Sequence, residues 1–487
     1  MDRAAASLSY AVRPRVLRYY LSRLALVLGG LTLVPLVAAL AFGELRLAVN
    51  LALTVAVLGL LWVPGRRTAP PRRLQVNEAL ATVALTFVLA PLLMAWPFIG
   101  EGLSAEDALF ESVSAITTTG LSTLVSVHDH SPGLLLMRAW MQWYGGLGIA
   151  VFSVALVLGH LSGARRLTGL DSQDELPASA RTYARQVLTA YLLLTLVAVT
   201  ALWLSLGDGL QALLHALAAI STGGFSGYDL SLAGMPSVVA PYLTIGIALL
   251  GALPLVLYYQ VVRRRRWELA GDPEWWTLPL VVCLVASLLA LALRLDSGMS
   301  WSDALYHGGL LGASAQTTAG FSTLPVTQLG DTAKLLLIVA MLSGGSVGST
   351  AGGIKLLRLL ILAKLVAFTL RRTTMPGHAV AAVRLGGRNL EAEEMQRALL
   401  VILLFVLTVL LSWLIMVTGG QPTLDALFEV VSATGTVGLS AGVTSPDLAT
   451  GLKLLLCVDM LLGRLEIIAL LVLLYPPTWW GRRIDQR

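Results

Sequence analysis

The sequence predicts an all-α polytopic membrane protein, and three observations carry that reading. The chain is 56% hydrophobic and only 13% charged over 487 residues, about half the charge density of a soluble domain. Apolar runs long enough to cross a bilayer recur along its whole length. Between them a short polar motif is written four times. Mean hydropathy is +0.78, so lipid must be the solvent for much of the surface.

A hydrocarbon core about 30 Å thick takes roughly 20 residues of helix. About ten full-length candidates follow from that length, at 24–42, 47–63, 75–96, 134–160, 185–206, 236–262, 276–295, 332–369, 398–418 and 450–475. Arg13, Arg15, Arg18 and Arg23 precede the first run. A cleaved signal peptide ending near Ala39-Leu40-Ala41 is the alternative there. The run is long for a signal segment and a second follows within a few residues, so an uncleaved first span is expected.

Net charge is +6. The basic residues sit between apolar runs, so they point to membrane topology rather than to a nucleic-acid partner. One side of the predicted membrane collects the N-terminal arginines, Arg66-Arg67 with Arg72-Arg73, Arg165-Arg166 with Arg181 and Arg185, and Arg263 to Arg266. It also collects Arg371-Arg372 with Arg384 and Arg388, and Arg482-Arg483. The other side has almost none, Arg46 being the exception. The positive-inside rule makes the first side cytoplasmic, with both termini on it. Cys283 and Cys457 lie inside apolar runs and imply neither a disulfide nor a thiolate metal site.

Four loops on the outer side, 97–133, 207–235, 296–331 and 419–449, each hold a shorter apolar piece: 107–116, 208–220, 302–315 and 423–433. Such pieces are too short to span and read as re-entrant helices. Asp107, Asp208, Asp303 and Asp425 stand near their starts, where a carboxylate caps free N–H groups and suits the helix dipole.

The motif follows each piece. The copies are Ala115-Ile-Thr-Thr118-Thr119-Gly120-Leu-Ser122, Ala219-Ile-Ser-Thr222-Gly223-Gly224-Phe-Ser226, Ala315-Gln-Thr-Thr318-Ala319-Gly320-Phe-Ser322 and Ala433-Thr-Gly-Thr436-Val437-Gly438-Leu-Ser440. The shared pattern is A-x-x-T-x-G-[LF]-S. The unit is therefore span, short helix, T-x-G loop, span, and internal repeats place a functional site at their common axis.

Polar backbone at membrane depth is tolerated where protein or a watery cavity surrounds it. Glycine opens torsions that turn carbonyls toward the axis. A ring of carbonyls replaces the hydration shell of a cation, as the TVGYG loops of potassium channels do. No Asp, Glu, Lys or Arg lies in the four T-x-G stretches. That favours a carbonyl filter for a monovalent cation over a charged ring. Small-residue helix packing is the plainer alternative, but packing alone does not call for the same Thr before the Gly in four corresponding places.

The run at 332–369 is too long for one straight helix and is interrupted by Ser343-Gly344-Gly345-Ser346-Val347-Gly348-Ser349-Thr350-Ala351-Gly352-Gly353, then Lys355. Broken helices at mid-membrane line ion paths, so this loop is a candidate gate beneath the third motif; a kink that only aids packing is the alternative. Asp459, Arg464 and Glu466 fall in the last span, where charge is expensive. Helical spacing puts Asp459 and Glu466 on one face and Arg464 elsewhere. The intramembrane loop is the candidate partner for Arg464, with snorkelling or a static ion pair as the alternative; Lys355 can likewise snorkel.

Gln142-Trp143-Tyr144-Gly145-Gly146 reads as an interfacial aromatic belt followed by packing glycines. Glu111 and Glu429 either draw cations toward the mouth or satisfy loop amides. His128, Asp129 and His130 read as a solvated loop. An intramembrane enzyme is disfavoured, because His160, His215 and His307 are scattered without carboxylates at ligand spacing.

With these stretches in hand the sequence resembles the TrkH-type potassium-translocating subunit of the Trk/Ktr/HKT superfamily, over essentially its whole length. The most specific matches are MQWYGGLGI (141–149), the ISTGGFS and TTAGFST loops, GGSVGSTAGGIK, and MLLGRLE (460–466). The resemblance implies two extra N-terminal helices in 1–70 and four M1–pore helix–M2 repeats, at 71–165, 180–266, 272–372 and 395–480, the third with a broken, gating second helix. It implies filter glycines at Gly120, Gly224, Gly320 and Gly438, a gating loop from Gly344 to Gly353, and Arg464 as its partner. Gly120, where a Ser is associated with sodium permeation, favours potassium. It further implies a homodimer in the bacterial inner membrane and a cytoplasmic TrkA-type nucleotide-binding regulatory subunit. Potassium is then the substrate, and no cofactor is expected in this chain, which has no G-x-G-x-x-G fold of its own. A sodium-permeable channel or a proton- or sodium-coupled symporter of the same fold is the competing reading. Two departures from the family pattern stand out: Asp459, and TGTVGLS in the fourth loop.

Overall fold

The computed structural model describes residues 11–71, 74–158, 176–264, 272–376 and 381–480. Arg72, Arg73, His160, Arg165, Arg166, Arg265, Arg266, Arg482 and Arg483, and the repeat limits at 165 and 266, lie outside the described residues.

Two helices, α1 (Pro14–Ala41) and α2 (Leu45–Trp62), form a hairpin. Four copies of one unit follow. The first is α3 (Val76–Gly100), α4 (Ala105–Ile116) and α5 (Pro132–Leu158). The second is α6 (Leu176–Leu206), α7 (Gly209–Ile220) and the pair α8 (Ala240–Gly251) and α9 (Leu255–Arg264). The third is α10 (Pro273–Asp296), α11 (Trp301–Gln316) and the pair α12 (Asp331–Ser343) and α13 (Leu356–Arg372). The fourth is α14 (Ala392–Thr418), α15 (Thr423–Thr434) and the pair α16 (Thr450–Arg464) and α17 (Ile468–Leu474). A two-residue hairpin, β1 (Arg384–Leu385) with β2 (Arg388–Asn389), lies between the third and fourth units.

Among the described residues six helices are long and apolar enough to cross a membrane: α1, α2 (extended to Gly65), α3, the Thr182–Leu206 part of α6, α10 and α14. Their outer faces carry large exposed apolar side chains such as Leu196, Leu280 and Leu403, as lipid contact requires. The 12-residue helices α4, α7 and α15 are only about 18 Å long at 1.5 Å per residue, short of a span.

Their starts differ from the sequence expectation. Only Asp208 is a cap residue, accepting from the Leu210 and Gln211 N–H groups at 2.8 and 3.2 Å. Ser104 and Ser300 cap α4 and α11, and Asp107 and Asp303 stand three residues on, each accepting its serine hydroxyl at 2.7 Å. Asp425 sits in the first turn of α15 and pairs with a lysine.

The second long helix is broken in three units rather than one. Sequence reading places continuous spans at 236–262 and 450–475. Pro254 ends the first of these at 252–254, because proline lacks an N–H and its ring clashes with the preceding turn. The second breaks at Glu466 (φ +53°) and Ile467 (φ +62°). Neither of the two positions is a glycine or proline, and the helical wheel that joined Asp459 to Glu466 does not extend through it.

The units close into a ring. Each second helix leans on the short helix of the next unit: α5 on α7, α8 on α11, α12 on α15, and α16 back on α4. One apolar core joins the first two units and a second joins the last two. Ion pairs fasten the last two joints. Lys334 Nζ donates to Asp425 at 2.6 Å, and the buried Lys453 Nζ donates to Asp107 at 2.7 Å and to the Pro446 carbonyl at 2.8 Å. The second of these ties residues 346 positions apart.

Candidate ion pathway

All four short helices end in the same way. The Thr118 N–H donates to the Ala115 carbonyl at 3.0 Å and the Thr119 N–H to Ser114 at 2.9 Å. The corresponding pairs are 3.0 and 2.7 Å at Thr222 and Gly223, 3.2 and 2.8 Å at Thr318 and Ala319, and 3.0 and 2.8 Å at Thr436 and Val437. This is a Schellman closure, whose left-handed residue is usually glycine. Here it is threonine each time, at φ 54°, 53°, 54° and 49°. A side chain in that region costs about 1–2 kcal/mol per residue, and strain of this kind collects at functional sites. Two residues on, Gly120, Gly224, Gly320 and Gly438 are also left-handed, at φ 91°, 80°, 72° and 95°. The motif therefore encodes a backbone path in which every other residue is left-handed.

That path leaves carbonyls over. The Thr and middle residue of every triplet are buried, and buried backbone groups are almost always paired. Yet among the described residues the Thr, middle and Gly carbonyls of all four triplets accept no hydrogen bond, apart from that of Gly223. Among the described residues the buried hydroxyls of Thr118 and Thr436 have no partner either.

The four loops touch in order. A Cβ on Gly120 meets the Gly223 carbonyl oxygen, one on Gly320 meets that of Val437, and one on Gly438 meets that of Thr119. On Gly224 it meets the Ala319 oxygen at 2.6 Å. First to second, second to third, third to fourth and fourth to first, the contacts make a closed ring of backbone with no room for a methyl group.

Side chains behind the ring hold each loop. Ser114 Oγ accepts from the Gly120 N–H at 3.0 Å, and Ser432 Oγ does the same for Gly438 at 3.0 Å. Nine residues before the motif glycine in the first, second and fourth units, Glu111, His215 and Glu429 bind the serine two after it. Ser122 and Ser440 donate at 2.6 and 2.7 Å, and Ser226 lies 2.9 Å from His215 Nε2. His215 Nδ1 faces the Gln211 carbonyl at 2.7 Å; a carbonyl only accepts, so Nδ1 carries the proton and Nε2 accepts from Ser226. Glu111 further accepts from the Thr123 N–H at 2.8 Å and pairs with the buried Arg138 at 2.8 Å. Glu429 takes the Ala441 and Thr444 N–H groups at 2.9 and 3.0 Å. Of the two roles open to these glutamates, satisfying loop amides is the one their geometry fills. The third unit has Leu311 at this place, and its Ser322 is held instead by the second unit's Ser231 and Leu232.

The interrupted segment lies against the C-terminal ends of the short helices. Residues 344–356 are buried except Val347, and Gly344, Gly348, Gly353 and Lys355 are left-handed. The Gly352 N–H donates to Thr318 Oγ1 at 2.8 Å and the Gly353 N–H to the Gly435 carbonyl at 3.1 Å. Thr350 Oγ1 donates to the Ile220 carbonyl at 3.0 Å or that of Gly251 at 2.9 Å. The Ser346 N–H donates to Ala252 at 3.0 Å, and Gly345 accepts from the Leu356 N–H at 3.0 Å. Ser349 turns back on the Ser346 carbonyl at 2.6 Å. The loop thus touches the second, third and fourth units at once.

Arg464 completes the circle. It is buried, and its Nη1 donates to the Thr350 carbonyl at 2.8 Å while Nη2 lies 3.4 Å from the Gly145 carbonyl of the first unit. Glu466 pairs instead with Arg358 and, at 3.8 Å, with Lys355. Lys355 is therefore buried beside the loop rather than extended to an interface. Asp459 stands apart, accepting from Ser412 at 2.7 Å.

Sequence reading missed the role of three residues that position these parts. Glu274, buried in the first turn of α10, accepts from the Val347 N–H at 3.0 Å and the Leu357 N–H at 3.2 Å, so one oxygen holds both limbs of the loop. Gln316 donates to the Gly344 carbonyl at 2.7 Å and accepts from Ser343 at 2.9 Å. Gln142 binds the second T-x-G loop. Their signal was a charged or amide side chain inside or at the edge of an apolar run. Trp143 and Tyr144 are buried in the core, with Trp143 stacked on Trp140 at 4.7 Å, and form no interfacial belt.

Fold and site together define a multi-pass membrane transport protein built from four repeats around one ring. The sequence model of the TrkH family, described as a cation transport protein, matches residues 47–271 and 276–477, and the chain belongs to that family. It is 33% identical over 460 residues to the Trk system potassium uptake protein TrkI of Halomonas elongata, covering 91% of this chain and 90% of that one. To the Trk system potassium uptake protein TrkH of Escherichia coli K12 it is 30% identical over 447 residues, covering 88% and 90%. The crystal structure of the potassium transporter TrkH from Vibrio parahaemolyticus matches with a TM-score of 0.85 at 28% identity, over 96% of this chain and 99% of that one.

Proposed function

We propose that this protein takes up potassium across the bacterial inner membrane, and that the four T-x-G triplets are its selectivity filter. The observation that carries the reading is the closed ring of triplet carbonyls that, apart from that of Gly223, accept no hydrogen bond among the described residues. A dehydrated monovalent cation satisfies such oxygens without any counter-charge in the ring. The relatives named as potassium uptake proteins supply the ion. Potassium is substrate here, bound at the filter only; the reading needs no catalytic residue and no cofactor in this chain.

The loop from Gly344 to Gly353 is the gate in this account. It lies on the short-helix side of the ring, and Arg464 holds it through the Thr350 carbonyl. Opening requires that bond and those of Gly352 and Gly353 to break. In this reading both termini and the gate face the cytoplasm, which the positive-inside arrangement supports. A TrkA-type nucleotide-binding subunit docks there to drive the opening, and the transporter works as a homodimer within the lipid.

Complementation tests the reading. Cells lacking other potassium uptake grow at low potassium when given this gene with a regulatory partner, and they accumulate rubidium. No growth and no rubidium uptake, with the protein present in the membrane, overturns it.

A further inference from the structure

We infer that Gln142 is a specificity-determining positioning residue: from the first unit it clamps the second unit's filter loop across Gly224. The inference rests on the filter reading and deepens it. Gln142 lies on α5, fully buried. Its Nε2 donates to the Gly223 carbonyl at 2.5 Å and its Oε1 accepts from the Phe225 N–H at 3.2 Å. One amide thus grips the residues on either side of the filter glycine, with a donor for the carbonyl and an acceptor for the N–H.

Two features fit this role. First, among the described residues Gly223 is the one triplet carbonyl that a protein donor satisfies, so the second loop meets the ion path differently from the other three. Second, the middle residue is Thr119, Ala319 and Val437 in the other units but glycine here. A Cβ on Gly223 falls onto the Gln142 amide, 2.6 Å from Oε1 and 2.8 Å from Nε2. The side chain missing from position 223 is replaced by the one at 142. Because the Gly223 oxygen also touches Gly120 in the ring, the amide fixes the spacing between the first and second loops. Carbonyl spacing and field decide which cation replaces its hydration shell at least cost.

The test uses the full-length protein in lipid vesicles, with uptake of rubidium and of sodium measured on the same preparations. Gln142→Met keeps the volume and removes both bonds; Gln142→Glu keeps the acceptor but sets a carboxylate against the Gly223 oxygen. Gly223→Ala drives a methyl into the amide from the other side. The expected result is a rubidium-to-sodium ratio at least tenfold below wild type in each variant that purifies as a folded protein. Gln316→Leu, which frees Gly344 rather than a filter carbonyl, changes the amount of flux but not the ratio. Gly438→Ala, across the ring, serves as the filter control. If Gly438→Ala lowers the ratio and all folded Gln142 and Gly223 variants keep it, the clamp is overturned and the filter stands. If Gly438→Ala keeps the ratio too, the filter reading fails and the clamp with it.

Discussion

Replacing Gly224 by alanine strikes the ring at its most measurable contact. The new methyl stands 2.6 Å from the Ala319 carbonyl oxygen and 3.1 Å from Gly320 Cα. An unstrained C···O contact is about 3.3 Å or longer, so the second and third loops must part by more than half an ångström. Residue 224 also sits at φ +80°, where a Cβ costs about 1–2 kcal/mol. Forcing a methyl into packed surroundings adds about 1–3 kcal/mol. Loops braced by His215 and Gln142 cannot relax freely, so at least about 2 kcal/mol falls on the ion path. At tenfold per 1.4 kcal/mol that is a loss of roughly 30-fold in rubidium uptake. The assay is tracer uptake into vesicles at matched amounts of folded protein. Gly246→Ala is the control, because a methyl there meets nothing within 4 Å. Wild-type uptake by Gly224→Ala would refute the claim that backbone contact closes the ring.

Other consequences follow from the same contacts. Glu274→Ala frees the Val347 and Leu357 N–H groups, each bonded to a carboxylate at about 1.5–3 kcal/mol; flux without a regulatory partner rises about tenfold or more, while Glu274→Gln, which keeps an acceptor, stays nearer wild type. Arg464→Ala removes the donor to Thr350 and also raises unregulated flux, read by the same tracer uptake. Lys453→Met leaves Asp107 without its cation at the seam between the fourth and first units. The cost lies between the ~1 kcal/mol of a surface pair and the ~3–5 kcal/mol of a buried one, seen as a lower thermal midpoint in detergent.

Much of this was legible in the sequence, for physical reasons that differ from part to part. The long helices showed because lipid demands about 20 apolar residues of each. The T-x-G triplets showed because a left-handed backbone path confines position 120 and its counterparts to glycine, and a confined position repeats recognisably. Helix breaks showed only where their cause is written in one residue type. Eleven residues rich in glycine announced the loop before Lys355, and Pro254 was there to be read. At the break in the fourth unit Glu466 and Ile467 are themselves neither glycine nor proline, and Glu466 is held there by Arg358 and Lys355 from another unit. The same holds for Glu274, Gln316 and Gln142. A buried amide or carboxylate is recognisable as costly, but its partners are backbone groups tens of residues away, on which sequence spacing is silent. The caps went astray for a smaller reason. Serine and aspartate three residues apart share one turn, and only geometry tells which of them is the cap.

The central claim is that four carbonyl loops select potassium. Its most direct test is potassium and sodium flux through the purified protein in vesicles, with Gly120→Ser beside wild type. The account predicts that wild type passes potassium well above sodium. The serine, whose Cβ lands on the Gly223 carbonyl oxygen, lets sodium through at potassium's expense. Equal passage of the two ions by wild type, or a Gly120→Ser variant that selects as wild type does, would contradict it.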